Sequence, residues 1–380
     1  MRGGAESYAK ELADYMSQRH EVHVISGFGH PAQEHARYQV HTVKCGWYRS
    51  SPVTFLNYFN PKTSSRIRQL ISQIKPEVIH LHNTARLGLS FLPSQASVIQ
   101  TIHDFWYFCP KSDLLDFSSR FCENSFLGFK CILCGRDCAP FLTDVFRKTM
   151  IKQFLDRIGL FVFPSEAVMK SFIERAETFK RCVVIRHGIT MRDPPQSYDA
   201  SYPLRVLFVG RLSKEKGVDR LIKAVQNVES LHLDVVGGGD LEKVLKERVA
   251  NERIRNVEVH GFLNENEKWS FYGKSDVVVV PSLWPEVSSM VVMEAMSKGN
   301  VVLVTRLGGA RELVDNGVNG FVLEPDQTAI RDKLLYLAKN PHITRRMKIE
   351  ARKKAESSFG FDNHARNVEK CYDQLLGADT

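Results

Sequence analysis

The amino-acid sequence predicts an α/β protein with two doubly wound domains, in which helices cover both faces of a parallel sheet. The chain has 380 residues, too many for one ordinary hydrophobic core, and its hydrophobic fraction of 43% is typical of a globular protein. Short runs rich in β-branched residues alternate with helical stretches, as buried parallel strands and their helices do. The alternation stops once, at the polar segment RDPPQSYDASYP (192–203), and then begins again.

Nine apolar runs are predicted strands, and helical stretches lie between them. Four belong to the first series: EVHVIS (21–26), EVIHLH (77–82), SVIQTIH (97–103) and GLFVFPS (159–165). Five belong to the second series: RVLFVG, LHLDVVG, VEVHG, SDVVVVPS and NVVLVTR. Because the two series meet near residue 195, we expect one domain at 1–194 and a second at 195–358.

The C-terminal segment FGFDNHARNVEKCYDQLLG (359–377) is predicted to form one amphipathic helix. Its apolar residues recur at helical spacing: Phe361, Ala365, Val368, Tyr372 and Leu375. The pattern fits a helix packed on the second domain as well as one packed on the first.

Composition and charge limit the partners of the chain. No stretch approaches the ~20 continuous apolar residues of a membrane-spanning helix. The first residues carry no secretory signal, so the expected location is the cytoplasm. The net charge of +9 and the pI of about 9.1 favour anionic partners, which include nucleotides, phospholipid surfaces and nucleic acids. Nucleic acid is not expected, because the second domain has no stripe of basic and aromatic residues.

Two glutamates stand in a segment otherwise rich in Met, Val and Ala, WPEVSSMVVMEAMSKGN (284–300). A serine N-cap predicts a helix from about Ser289 to Lys298. Glu294 lies within this helix, and a carboxylate that leaves water needs a partner. Glu286 lies just ahead of it, beside the free N–H groups of the first turn, which favour anions. The alternative is that both side chains are solvated surface charges.

Polar residues follow other strands of the second domain, where an open α/β sheet binds its ligands. Arg211 and Lys216 lie in the turn of RVLFVGRLSKEKGVDRLIKAV (205–225), and two fixed cations suit a diphosphate, although both could be solvated loop charges. Three consecutive glycines after the next strand allow a ligand to approach the backbone: Gly237, Gly238 and Gly239. The chain has no Asp-x-Asp pair for a divalent ion, so no catalytic metal is expected.

Cysteines crowd one region of the first domain, where CILCGRDC (131–138) contains a C-x-x-C pair with a third cysteine nearby. Disulfides are uncommon in the cytoplasm, so the cluster indicates either a metal or reduced thiols. A structural zinc ion would be held by four of them: Cys122, Cys131, Cys134 and Cys138.

The basic amphipathic segment FLTDVFRKTMIKQFLDRIG (141–159) follows the cysteines. Such a segment could lie on the inner face of an anionic membrane, near a lipid-linked acceptor, as a peripheral contact. The alternative, which the pattern favours, is a packed helix with a solvated cationic face.

The second domain resembles the C-terminal half of the retaining GT-B glycosyltransferases of family 4, also called group 1. The resemblance rests on FVGRLSKEKGVDRLIKA, VVGGGD, VEVHGFL and SDVVVVPSLWPEVSSMVVMEAMSKGNVVLVTRLGGARELVDNGVNGFV. The first domain is similar through GGAESYAKELADYMSQRHEVHVIS, PEVIHLHN, TIHDFWYFCP and FPSEAV. The family implies two Rossmann-like domains that face a cleft, with residues 359–380 crossing back to the first. It also implies a strand before the glycine loop, so the first strand of the N-terminal domain is expected to be missing here.

The resemblance implies a metal-independent hexosyltransferase that transfers a sugar, with retained configuration, from a nucleotide-diphosphate sugar to a glycan or lipid-linked acceptor. Cell-surface polysaccharide synthesis is the implied context, and no cofactor is required. By the same resemblance, Glu286 and His103 contact the donor sugar, and Glu294 holds the ribose hydroxyls. Arg211 and Lys216 hold the diphosphate. Further implied donor-binding residues are Gly3, Gly4, Gly237, Gly238, Gly239, Ser288, Ser289 and Met290. A non-catalytic GT-B subunit or nucleotide-binding pseudoenzyme stays open.

Overall fold

The computed structural model of the protein describes residues 4–27, 37–43, 60–84, 87, 90–93, 97–109, 114, 122, 149–176, 179 and 181–377. The chain divides into two compact units. Unit 1 comprises Met1–Arg186 and Asp362–Thr380, and unit 2 comprises His187–Phe361. Both units consist of helices and parallel strands, so the predicted α/β fold class is confirmed. The domain boundaries given above stay a prediction.

Unit 1 contains two groups of parallel strands. Its elements are α1 (Gly4–Met16), β1 (His23–Ser26), β2 (Gln39–Thr42), α2 (Pro61–Ile74), β3 (Val78–Leu81), β4 (Ser97–Thr101), β5 (Leu160–Phe163), α3 (Glu166–Arg175) and β6 (Cys182–Val184). Strands β1 and β2 form a pair, and the other four form a sheet in the order β3-β4-β5-β6. Residues 149–155 are also helical. Within the described part of the chain, no strand precedes α1.

Unit 2 is built on one six-stranded parallel sheet in the order β12-β11-β10-β7-β8-β9. Its strands are β7 (Leu204–Val209), β8 (Leu231–Val236), β9 (Val257–Gly261), β10 (Val277–Val280), β11 (Val301–Thr305) and β12 (Gly320–Leu323). Its helices are α4 (Val218–Val225), α5 (Glu242–Asn251), α6 (Glu265–Lys274), α7 (Met290–Ser297), α8 (Gln327–Lys339) and α9 (Pro341–Ser358). Short 3₁₀ helices lie at Lys214–Lys216 and Ala310–Leu313.

Strand β10 shows why the strands of unit 2 are continuously apolar. Val277 and Val279 belong to the hydrophobic core that also contains residues of α4 and α8. Val278 and Val280 belong to the opposite core, which contains residues of α7 and α9. Since successive side chains point to opposite faces and both faces are covered, each position is buried. All nine predicted strands are present, and β2, β6 and β12 lie outside the predicted runs.

The last helix, α10 (Phe361–Gly377), packs with its polar side chains against elements of unit 1. The Tyr8 hydroxyl of α1 lies 2.8 Å from His364 Nε2. The Arg186 carbonyl lies 2.7 Å from His364 Nδ1 and can only accept, so Nδ1 carries the proton and Nε2 accepts from Tyr8. His80 Nδ1 of β3 lies 2.7 Å from the Tyr372 hydroxyl. That residues 359–380 cross back to the first domain, as the resemblance implies, stays a prediction.

These contacts make unit 1 sensitive to acid. Burial lowers the pKa of His364 to about 4, although the Arg186 carbonyl opposes the shift. Burial and His364 together lower the pKa of His82 to about 3. Each folded pKa lies below the ordinary value, so the unfolded chain takes up protons first as the pH falls below about 6.5. The contribution of these two histidines to the stability of unit 1 is therefore fully present above about pH 6.5 and is lost as the pH falls toward 4.

We therefore expect His364→Gln to flatten the pH dependence of unit 1 stability. Removing this one titration should cut the loss between pH 7 and pH 4.5 by about 2–3 kcal/mol, because one shifted pKa unit corresponds to about 1.4 kcal/mol. Urea-unfolding midpoints of the full chain at the two pH values measure the effect. His20→Gln is the matched control, because His20 contacts Glu369 of the same helix at the surface. Equal slopes for the His364 variant and the wild type would contradict the expectation.

A buried ion pair joins α9 to the sheet of unit 2. Lys348 Nζ donates to Asp276 Oδ1 at 2.8 Å, and both side chains are almost fully buried. The other oxygen, Asp276 Oδ2, accepts from the backbone N–H groups of Ser201 and Arg205, each at 3.1 Å. The carboxylate therefore has partners on both oxygens, as a buried charge requires.

Lys348→Met should destabilise unit 2 by about 3–5 kcal/mol, because it leaves the Asp276 carboxylate buried without its cation. Chemical denaturation of the full chain, followed through the unit 2 transition, measures the loss. Lys353→Met, on the same helix, removes a solvent-exposed pair with Glu350 and should cost at most about 1 kcal/mol. Similar losses for the two variants would show that the buried pair is not a main support of this unit.

Candidate functional site

Four loops of unit 2 meet at the carboxyl edge of its parallel sheet, where the polar residues predicted above lie. They follow β7, β8, β10 and β11, and backbone hydrogen bonds connect them in pairs. Leu212 N donates to Gly238 O at 2.9 Å, and Leu283 N donates to Glu215 O at 2.7 Å. Gly309 N donates to Glu286 O at 2.6 Å. These bonds hold the loops in one arrangement.

Glu286 is the acid at the centre of this edge, and it is only 7% exposed. Its Oε1 accepts from Lys216 Nζ at 2.7 Å and from Ser282 Oγ at 2.5 Å. Lys216 Nζ also lies 4.9 Å from the centre of the Trp284 ring, which favours a cation there. The structure thus brings together two predicted site residues, Glu286 and Lys216, as a sheltered ion pair.

Gly308 allows the loop after β11 to close over Glu286. Its φ of +70° is in the left-handed region, and a Cβ at this position would overlap the Glu286 backbone. The two residues form a parallel β-bridge. Only glycine combines this conformation with so close an approach. The glycine pair of RLGGAR is the sequence signal for this contact.

Glu294 lies on α7 and is held by two side chains of α6. Lys268 Nζ donates to Oε1 at 2.9 Å, and the Tyr272 hydroxyl donates to Oε2 at 2.7 Å. Burial lowers the pKa of Lys268, but the carboxylates of Glu294 and Glu265 together outweigh it and the net direction is upward. Burial and the same carboxylate hold the pKa of Tyr272 well above its usual value. Sequence reasoning missed both partners, whose four-residue spacing on one helix was the available signal.

Arg211 is separated from the Glu286 pair. It is largely exposed, and its Nη2 donates to Glu215 Oε1 at 3.0 Å. Glu215 accepts a second bond, from Ser213 Oγ at 2.6 Å. The role predicted for Arg211 and Lys216 together, to hold a diphosphate, stays a prediction.

The remaining predicted donor-binding residues of unit 2 lie on the same loops. Gly237 and Gly239 have φ values of +141° and +154°, and their backbones approach the loop after β7 so closely that a Cβ would overlap it. Ser289 is the N-cap of α7, but its side chain makes no capping hydrogen bond. Ser288 and Met290 on either side are half-buried.

In unit 1, His103 belongs to a cluster of aromatic side chains. Its Nε2 lies 3.1 Å from His82 Nδ1, and the Tyr8 ring packs edge-on against both imidazoles. Gly4 is exposed at the start of α1, whereas Gly3 lies outside the described residues. The roles implied for His103 and Gly4 stay predictions.

The predicted zinc and membrane segments fall largely outside the described residues. Cys131, Cys134 and Cys138 are not described, and Cys122 is half-buried. Of the basic segment 141–159, the structure describes only the part from residue 149 onward. No helix among the described residues has both the length and the apolar character needed to cross a bilayer.

Comparison with curated proteins finds glycosyltransferases. The chain is 30% identical over 196 residues to an uncharacterized glycosyltransferase of Methanocaldococcus jannaschii, covering 51% of this chain and 54% of that protein. It is 30% identical over 184 residues to the amylovoran biosynthesis glycosyltransferase AmsK of Erwinia amylovora, covering 46% and 45%. The matched segment thus spans about half the length of these relatives.

Solved structures share the fold of the whole chain. Sucrose-phosphate synthase from Thermosynechococcus elongatus aligns with a TM-score of 0.78 and 18% identity, over 99% of this chain and 94% of that one. Anabaena HepE, solved in complex with UDP-glucose, aligns with a TM-score of 0.70 and 18% identity, over 98% and 97%. At this identity the likeness concerns the fold, which is GT-B as predicted.

Family profiles cover nearly the full length. Residues 194–354 match the family described as Glycosyl transferases group 1. Residues 2–192, half of the chain, match the family described as Glycosyltransferase Family 4. The chain therefore belongs to glycosyltransferase family 4, and the second of its two units carries the group 1 region.

Proposed function

We propose that the protein is a retaining, metal-independent hexosyltransferase that uses a nucleotide-diphosphate sugar and a glycan or lipid-linked acceptor. The observation that carries the proposal is the ion pair between the buried Glu286, just ahead of α7, and the half-buried Lys216 in the turn after β7. The UDP-glucose complex of HepE supports this class of donor. The role of AmsK in amylovoran biosynthesis supports polysaccharide synthesis as the context.

Lys216 and the start of α7 would stabilise the departing diphosphate. Cleavage of the bond between sugar C1 and phosphate leaves negative charge on the nucleoside diphosphate, and fixed donors lower the barrier where that charge develops. The Lys216 ammonium has three N–H donors and gives one to Glu286, so two can reach phosphate oxygens. The N–H groups at the start of α7, which its N-cap side chain leaves uncapped, would add to this site. The exposed Arg211 would leave Glu215 to join them.

Glu286 would contact the donor sugar through its second oxygen. Both hydrogen bonds described for its carboxylate go to Oε1, from Lys216 and Ser282. Oε2 can then accept from a sugar hydroxyl while the other oxygen stays anchored. Such an anchored carboxylate would orient the sugar and face the positive charge that develops at C1.

The test begins with a screen of nucleotide sugars for protection of the full chain against thermal unfolding. A ligand at 100 times its dissociation constant adds about 2.7 kcal/mol. With the donor found, Glu286→Gln should keep its affinity for the nucleoside diphosphate but lose turnover by about 10²–10³-fold, the range for one lost transition-state contact. Release of nucleoside diphosphate in the presence of a chelator measures turnover.

Glu324→Gln is the control for that experiment, because Glu324 is an exposed acid of the same unit and should leave both quantities unchanged. Full turnover by the Glu286 variant would overturn the role of Glu286. Wild-type protein that binds the donor without transfer or hydrolysis would instead identify a pseudoenzyme.

Glu294→Gln tests the proposed ribose contact. A carboxylate offers about four acceptor sites, so Glu294 can hold Lys268, Tyr272 and a ribose diol together. Loss of its charge-assisted bonds should weaken nucleoside diphosphate binding by about 10–100-fold in a calorimetric titration. Glu265→Gln removes an exposed neighbour of the same lysine and should have little effect. Equal affinities of the wild type and the Glu294 variant would refute the contact.

A further inference from the structure

A second polar cluster lies on one face of the unit 2 sheet, at its β9 edge. His232 and Asp234 alternate along β8, and Glu258 and His260 alternate along β9, so that all four point to the same side. The register places Asp234 directly opposite Glu258. Strand geometry alone therefore brings two imidazoles and two carboxylates together.

The ligand atoms of this cluster converge. His260 Nε2 lies 2.7 Å and His232 Nε2 lies 3.5 Å from the same atom, Asp234 Oδ1. Each of these nitrogens lies 4.0 Å from a carboxylate oxygen of Glu258. One ligand atom each from Asp234, Glu258 and His260 can be chosen so that all lie within 4.8 Å of one another, whereas His232 lies beside this set of three and is not part of it.

These separations match the ligand spacing of a small divalent ion. Four ligands at about 2.0–2.2 Å from a tetrahedral Zn²⁺ ion lie roughly 3.3–3.6 Å from each other. The observed distances from the imidazole nitrogens to the carboxylate oxygens, 2.7 to 4.0 Å, lie on both sides of this range. Small side-chain rotations would suffice for Asp234, Glu258 and His260, and His232 would have to turn toward them as the fourth ligand. Two imidazole nitrogens and two carboxylate oxygens form a ligand set that zinc accepts.

Burial and charge also fit a cation. Asp234 is buried at the base of the cluster, whereas Glu258 is 60% exposed and can move onto an ion. The Phe271 ring of α6 packs 4.5 Å from the His260 ring and fixes its position. Arg205 Nη2, 3.9 Å from Asp234 Oδ2, is the opposing charge. With neutral imidazoles the cluster carries two negative charges against one positive charge.

We propose that His232, Asp234, Glu258 and His260 form a binding site for a divalent transition-metal ion, with Zn²⁺ as the ion that fits best. The site uses none of the residues proposed for donor binding, so it is independent of the transfer reaction. A bound ion would fasten the edge strand β9 to β8 and stabilise unit 2. The proposed site shares no residue with the cysteine cluster predicted for unit 1.

Calorimetric titration of Zn²⁺ into the full chain, at pH 7 and after removal of metals, tests the proposal. The wild type should bind Zn²⁺, and His232→Gln and His260→Gln should each lower the affinity by roughly tenfold or more. Loss even of an outer-shell residue commonly costs that much. Wild-type affinity should also fall as the pH is lowered, because protons compete with the metal for the imidazole nitrogens. His342→Gln removes an exposed histidine of α9 in the same unit and should change nothing.

Co²⁺ absorption separates this site from the cysteines. An ion held by histidine and carboxylate gives visible ligand-field bands without a strong thiolate charge-transfer band. The double variant, which carries both His232→Gln and His260→Gln, should lose these ligand-field bands. Glu258→Gln, at an exposed position, gives a second variant that should fold and bind more weakly. Zn²⁺ affinity that is equal in the wild type and the double variant would overturn the proposal. So would a wild-type cobalt spectrum that contains only thiolate bands.

Discussion

A carboxylate that leaves water must find a partner, and this requirement organises unit 2, all of whose residues are described. Four of its acids are buried or nearly so, and each meets a cation or a hydrogen-bond donor from another element. The pairs are Asp276 with Lys348, Asp234 with His260, Glu286 with Lys216, and Glu294 with Lys268 and Tyr272. Each pair fastens two elements that are distant in sequence, so the acids connect the helices and loops to the sheet.

The acids differ in how much acceptor capacity remains. Asp276 has partners on both oxygens, because one takes Lys348 and the other takes two backbone N–H groups. It is almost fully buried within unit 2, so its role is to support the fold. Glu286 uses one oxygen for both described partners, and it lies at the carboxyl edge of the sheet, where open α/β domains bind ligands. Position at the sheet edge and unused acceptor capacity together distinguish the candidate functional acid from the structural one.

Local patterns predicted much of unit 2, whereas pairings between distant residues were not accessible from them. The apolar run of β10 required a sheet covered on both faces, and helix α7 begins and ends within one residue of its expected limits. Lys268 and Tyr272 were missed because no local rule brings α6 to Glu294. The cluster around Asp234 was missed because it depends on the register of β8 against β9. The ion pair of Arg211 was missed as well, because it depends on how the 3₁₀ turn at Lys214–Lys216 presents Glu215.

In unit 1, ionisable side chains in the interior are neutral, whereas the buried acids of unit 2 are paired. Its histidines in the interior give up their charge, since the pKa of the half-buried His82 falls to about 3 and that of the buried His364 to about 4. A neutral imidazole can donate through one nitrogen and accept through the other, which lets His364 bridge the Arg186 carbonyl and the Tyr8 hydroxyl. A protonated imidazole has two donors and no acceptor, so Tyr8 could no longer donate to it and its hydroxyl would have to accept instead. The attachment of the C-terminal helix therefore uses a neutral histidine as donor and acceptor at once, whereas the loops around Glu286 use a carboxylate as acceptor alone.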